Sequence, residues 1–222
     1  MTDAAGSAAV ESVPAQAAAV FADRLERAEE YVQLLATAGV ERGLIGPRET
    51  PRLWTRHLLN SVAVAEFLPD RADVIDLGSG AGLPGIPVAL ARPDVRMTLV
   101  EPQSRRTRFL EEVVERLLLD VAVRRARAEE LPKATTDAVV VRAVAPLSRL
   151  IALALPLLRP GGRLLALKGS RADDEVAAAS SALRAWPHAK VETHTVNIGP
   201  QPTTVVQIVL DEAQAHSGGC TR

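Results

Sequence analysis

The segment VIDLGSGAGLPGIP (74–87) constrains this chain more than any other stretch. A short apolar run ends in Asp76 and Leu77, and four glycines (78, 80, 82 and 85) with two prolines follow within the next ten residues. That order reads as a strand, a turn stripped of side chains and then a helix. In an α/β sheet such a corner lets the backbone approach a ligand closely.

Two glycine registers compete. Gly80-x-Gly82-x-x-Gly85 matches the dinucleotide fingerprint. Asp76-x-Gly78-x-Gly80-x-Gly82 matches the looser pattern of S-adenosylmethionine (SAM) sites. The turn starts directly after VIDL, so its first glycine is Gly78, and a dinucleotide pattern counted from there puts Leu83 where the third glycine belongs. A carboxylate at the strand tip, Asp76, suits a cationic, hydroxyl-bearing ligand better than a pyrophosphate. No Lys-Ser/Thr pair follows Gly85, which excludes a phosphate-gripping Walker loop. Glu101, closing the second apolar run MTLVEP, is spaced to accept both ribose hydroxyls. The competing role for Glu101 is an ion pair with Arg105 or Arg106. In RARAEELP (125–132), Glu129 or Glu130 is placed to approach the adenine edge, although Ala-Glu-Glu-Leu also opens ordinary helices.

Around this corner, candidate strands at 73–77, 96–101, 121–127, 136–142 and 162–168 alternate with helical stretches at 84–92, 104–119, 147–158 and 171–185. Apolar strands separated by helices predict a parallel sheet covered on both faces. Runs 190–198 and 203–210 are joined by only Gly199-Pro200-Gln201-Pro202, too short for a parallel crossover, so an antiparallel hairpin is expected. Upstream, residues 17–38 and 51–68 carry apolar residues at helical spacing. Trp54 in the second of these, and Trp186 far downstream, read as core. The expected organisation is a disordered 1–16, a helical cap over 17–69, a ligand-binding α/β domain over 70–211 and a disordered tail over 212–222. The fold class is α/β and Rossmann-like, with a seven-stranded, mostly parallel sheet.

Charge narrows the partners. The net value of −1 argues against bulk electrostatic gripping of nucleic acid, and no DNA partner is expected. Its distribution is uneven: residues 104–127 hold seven arginines against four acids, while residues 1–30 hold six acids against two arginines. The apolar stretches are too short for a bilayer, the N-terminus lacks a basic signal region, and Cys220 is the single cysteine. A cytoplasmic monomer without metal or membrane is expected.

The segments RHLLNS (56–61), DLGSGAGLPGIP (76–87), RRTRFL (105–110), RAEELP (127–132), VRAVAPL (141–147) and LALKG (165–169) together resemble the glucose-inhibited division protein B family, the 16S rRNA guanine-N7 methyltransferases. The resemblance spans about half the chain. It implies a class I SAM-dependent fold and methyl transfer to a guanine in the decoding-centre loop of 16S rRNA. It further implies cofactor contacts at Gly78, Leu83, Ala128, Glu129 and Arg142, joined by Gly80 and Glu101 from the motif itself. Where some relatives carry Asp at the second strand's end, this chain has Glu101.

Guanine N7 bears a lone pair and no proton, so its methylation needs no general base. Asn/Asp-Pro-Pro-Tyr does not follow the fourth strand, and the sheet region holds no cysteine, which disfavours adenine-N6 and cytosine-C5 transfer. Base and RNA positioning falls to Arg142 and Lys168 at the carboxyl ends of strands four and five, with Arg56 and His57 on the cap. Three other readings stay open on residues alone: a small-molecule SAM methyltransferase, an NAD oxidoreductase in the alternative register, and a non-catalytic SAM-binding regulator.

Overall fold

The computed structural model describes residues 9–142 and 145–211. The expected tail 212–222 and the start of the chain lie outside them. Seven strands form one sheet: β1 (Asp73–Leu77), β2 (Arg96–Val100), β3 (Val121–Arg124), β4 (Thr136–Arg142), β5 (Leu158–Lys168), β6 (Lys190–Val196) and β7 (Thr203–Val209). Their order is β3-β2-β1-β4-β5-β7-β6. Neighbours from β3 through β5 pair parallel, and β7 runs antiparallel to both β5 and β6, as the four-residue link requires. The chain travels outward from β1 to β3 and then returns to β4 on the other side of β1. A crevice therefore opens at the carboxyl ends of β1 and β4, the switch point where open α/β sheets bind ligands.

On one face lie α4 (Gly85–Ala91), α5 (Ser104–Arg116) and the cap; on the other lie α6 (Leu147–Ala154), α7 (Ala172–Ala178) and α8 (Ser180–Leu183). The cap consists of α1 (Ala15–Phe21), α2 (Leu25–Leu34) continued by a π-helical Leu35–Gly39, and a π-helical Leu53–Leu59 running into α3 (Asn60–Val62). Its stripe Leu53, Trp54, Leu58 and Val62 is buried, and Trp54 packs against Phe21. Cap and sheet share one hydrophobic core. Trp186 packs at the edge of the second core.

Two expectations need correction. Part of the supposedly disordered 1–16 is ordered: α1 begins at Ala15, and Glu11 accepts hydrogen bonds from the Thr55 N–H (2.8 Å) and hydroxyl. Glu11 thereby satisfies a donor in the first turn of Leu53–Leu59 that the helix leaves unpaired. Nor is the sheet covered on both faces throughout. The connection from β3 to β4 carries a single turn, Ala128–Glu130, in place of a helix. A cavity of about 500 Å³ consequently lies over the β1–β3 half-face, lined by Ile75, Thr98, Ala122 and Arg124. Among the described residues no helix is long and apolar enough to cross a membrane, and no cluster of His, Cys, Asp and Glu is arranged to hold a metal.

Candidate active site

A second cavity, about 560 Å³, opens at the switch point. Gly78, Gly80 and Leu83 of the loop, Glu101 after β2, Arg142 at the tip of β4, and Arg56 and His57 of the cap all line it. The structure thus brings together seven of the ten site residues expected from sequence. Lys168, Ala128 and Glu129 do not join them: Lys168 lines a neighbouring cavity beside α7, and Ala128 and Glu129 line a small one against α6.

The loop works by omission of side chains. Gly78 and Gly82 sit at φ +76° and +99°, where an L side chain is strained. A Cβ on Gly82 would stand 2.6 Å from Ile86 Cγ1 and 2.9 Å from the Tyr31 hydroxyl. The loop's N–H groups, however, are mostly consumed within the protein. Gly78 and Ser79 donate to the Val100 carbonyl, Gly80 donates to Glu101, and Gly82 and Leu83 donate to Ser79. The loop therefore offers a ligand space for close approach rather than a nest of free donors.

Asp76 corrects the sequence reading. Its carboxylate lies fully buried behind the loop, away from the cavity lining, where Oδ2 accepts the Gly85 N–H (3.0 Å). Burial pushes its pKa up to about 7, and Oδ1 has no hydrogen-bond partner. The residue anchors the start of α4. Glu101 takes the ligand-facing position instead. Its two oxygens accept the N–H groups of Gly80 and Gln103, each at 3.0 Å, and Arg106 stands 3.7 Å away. A carboxylate has about four acceptor sites. Two main-chain donors fix its orientation and leave capacity for a pair of ribose hydroxyls, so these residues fit the adenosyl portion of SAM.

At the opposite wall, Arg142 is tied into the cap. Nη1 donates to the His57 carbonyl and Ser61 hydroxyl (both 2.9 Å), and Nη2 donates to the Arg56 carbonyl (3.0 Å) and His57 Nδ1 (2.9 Å). Burial lowers its pKa to about 10, still leaving it charged at neutral pH. His57 Nδ1 accepts from Arg142 while its Nε2–H donates to Glu49 (2.9 Å), an arrangement that only the neutral Nε2–H tautomer satisfies. Burial and the Arg142 charge depress its pKa to about 4. Arg56 keeps more than half of its side-chain surface exposed and makes a long 3.5 Å contact with Glu49. Lys168, expected to grip RNA, is nearly buried, its Nζ bonded to Glu175 (2.6 Å) and to the Ala145 carbonyl (3.0 Å).

Sequence reasoning missed Tyr31, Glu49, Ser61 and Gln103. The Tyr31 hydroxyl donates to the Ala81 carbonyl (2.8 Å), clamping the cap onto the glycine loop. Its apolar spacing on α2 reads as ordinary core. Glu49 sits in a Gly/Pro-punctuated connector that carries no motif, and Ser61 is found only by its contact with Arg142.

A glycine loop at the switch point, backed by an oriented carboxylate after β2, defines a SAM-dependent methyltransferase. Solved structures share the fold at low identity. A SAM-dependent O-methyltransferase from Thermotoga maritima matches with TM-score 0.53 and 17% identity over 73% of this chain and 66% of its own. TYW2 of P. horikoshii in complex with MeSAdo matches with TM-score 0.57 and 14% identity over 71% of this chain and 63% of its own. Sequence relatives are far nearer. Ribosomal RNA small subunit methyltransferase G of Nocardioides sp. is 56% identical, covering 89% of this chain and 81% of the relative. The Streptomyces avermitilis protein of the same description is 52% identical over 90% and 86%. The GidB family model, rRNA small subunit methyltransferase G, matches residues 24–202. The chain belongs to that family.

Proposed function

We propose that this protein transfers a methyl group from SAM to N7 of a guanine in the 16S rRNA of the small ribosomal subunit, acting as a cytoplasmic monomer. The observation that carries the N7 assignment is the state of the ionisable groups lining the cavity. The free acceptor sites of Glu101 are given over to the ribose of SAM, Glu49 is held by Arg52 and His57, and both nitrogens of His57 are engaged. None of these stands ready to remove a proton, and N7 has none to lose.

SAM, when bound, supplies a methyl carbon made electrophilic by its sulfonium. The chain's residues aim. Glu101 would hold the ribose, the loop at Gly78, Gly80 and Leu83 would admit the donor, and Arg142 fixes the cap wall against which the base would be set. Arg56, exposed at the mouth, meets the substrate. With SAM bound, holding the N7 lone pair in line with the methyl carbon would supply most of the acceleration, the N–C bond forming as the S–C bond breaks and S-adenosylhomocysteine leaves. A guanine in a duplex hides N7 in a deep, narrow groove, so the target lies in a loop or is flipped out.

The test is mass-spectrometric mapping of 16S rRNA from cells lacking this gene, before and after incubation with the purified protein and SAM. A single new 7-methylguanosine is expected. Methyl transfer to another base, to an exocyclic amine or to metabolites alone contradicts the assignment.

A further inference from the structure

We propose that the exposed arginines flanking the Glu101–Gln103 turn, Arg105 and Arg108 on α5 and Arg124, Arg125 and Arg127 at and beyond the end of β3, form the surface that docks the RNA phosphates beside the target base. The proposal rests on the reading above that the substrate is ribosomal RNA.

Sheet register sets the backbone of Arg124 and Arg125 beside this turn. Val100 pairs with Arg124, the Glu101 N–H donates to the Arg124 carbonyl, and Arg125 Nε reaches the Pro102 carbonyl at 3.4 Å. From the same turn α5 starts at Ser104. Glu101, Pro102 and Gln103 all line the SAM cavity, as does Arg106 between Arg105 and Arg108, while the Arg124 side chain lines the separate cavity over the β1–β3 half-face. All five side chains belong to exposed residues.

The two ends of the sheet treat their arginines differently. At the amino ends of the strands, Arg92 pairs with Asp94, Arg96 with Asp73, and Arg159 with both Asp73 and Asp137. At the rim, Arg105, Arg108, Arg124, Arg125 and Arg127 form no ion pair among the described residues. The nearby carboxylates are largely spoken for. Glu101 is buried, Glu112 pairs with Arg42, and Glu130 turns back to accept the Arg127 N–H. Glu111 and Glu129, also exposed, form no ion pair with any of the five arginines. Unpaired planar cations next to a nucleotide-sized cavity suit bidentate phosphate contact. Lys168 on the far side has already spent its charge on Glu175.

The experiment compares Arg105→Glu, Arg108→Glu and Arg124→Glu with Arg184→Glu, a charge-matched control on the remote end of α8. Methylation of protein-free 16S rRNA and of assembled small subunits is measured against salt, and SAM affinity is titrated in parallel. Each rim variant is expected to raise KM for RNA roughly tenfold at 0.15 M salt and to flatten the log–log salt slope by about 0.7 per lost phosphate contact. Arg184→Glu stays at wild type, and all four bind SAM within twofold. Should a reversal disturb folding, Arg→Gln at the same sites is expected to give the same ranking with smaller effects. Wild-type KM and slope in the rim variants, or an equal effect from Arg184→Glu, overturns the docking surface while leaving the proposed activity intact. An effect seen on subunits but not on protein-free RNA overturns it too, because the patch then meets ribosomal protein. A wild-type enzyme that methylates neither substrate defeats the activity and the surface together.

Discussion

The two walls of the cavity are built in opposite ways. On the glycine-loop side, Glu101 is an acceptor oriented by donors within two strands of it, Gly80 and Gln103, and it keeps lone pairs free. On the cap side, Arg142 is a donor whose partners lie more than eighty residues away in sequence, and its guanidinium is spent on them. The first wall keeps acceptors open to the cavity; the second wall holds the cap in register. A charged residue at a strand tip can thus face a ligand or lock an element, and only its partners tell which.

The comparison breaks most readily at Arg142. Arg142→Ala leaves the carbonyls of Arg56 and His57, the Ser61 hydroxyl and His57 Nδ1 without their donor. Urea denaturation is expected to show a loss of roughly 3 kcal/mol, with the cap becoming the preferred site of limited proteolysis. Arg142→Lys recovers less than half, since one ammonium cannot span those acceptors. Glu101→Gln, by contrast, is expected to weaken SAM binding about tenfold while leaving urea stability within about 1 kcal/mol. Equal destabilisation by both would erase the distinction between the walls.

Protonation sharpens the contrast, because the buried groups on the two sides pull in opposite directions. His57 titrates near 4 in the fold against 6.5 unfolded, so the unfolded chain binds the extra proton and stability rises as pH climbs from about 4 to 6.5. Asp76 titrates near 7 against 3.8, so the folded chain holds the proton and stability falls as pH climbs from about 4 to 7. The wild type is expected to show a shallow dependence over this window. Thermal melts of His57→Gln should decline steadily with pH, and those of Asp76→Asn should rise. Parallel profiles in the two variants would sink this balance. The smallest effect belongs to Tyr31→Phe, which removes one hydrogen bond between the walls and should cost about 1 kcal/mol in a denaturant melt.

Legibility in the sequence followed locality. The loop register, the acid Glu101 and all seven strands were readable because strand periodicity and glycine spacing are properties of short segments. The helix ends were less so: 147–158 stops being helical at Ala154, since Leu155–Leu157 tightens to a 3₁₀ turn and β5 begins at Leu158. Apolar strands suggest cover on both faces, yet the same sequence offers no helical stretch between 121–127 and 136–142, and the half-face beneath that link is the one left open. Lys168 and Arg142 were correctly placed at strand tips, yet Glu175 and the cap carbonyls that occupy them are tertiary partners. Nothing local in the sequence signals that the loop folds over Asp76. Ala128 and Glu129, implied by resemblance, line a cavity apart from the loop.

Isothermal titration of SAM into the wild type and Gly78→Val probes whether the glycine corner admits the cofactor. One-to-one binding by the wild type, absent from a folded Gly78→Val whose branched side chain occupies a turn at φ +76°, is the expected result. Undiminished SAM affinity in the variant, or a wild type that binds NAD and not SAM, would contradict it.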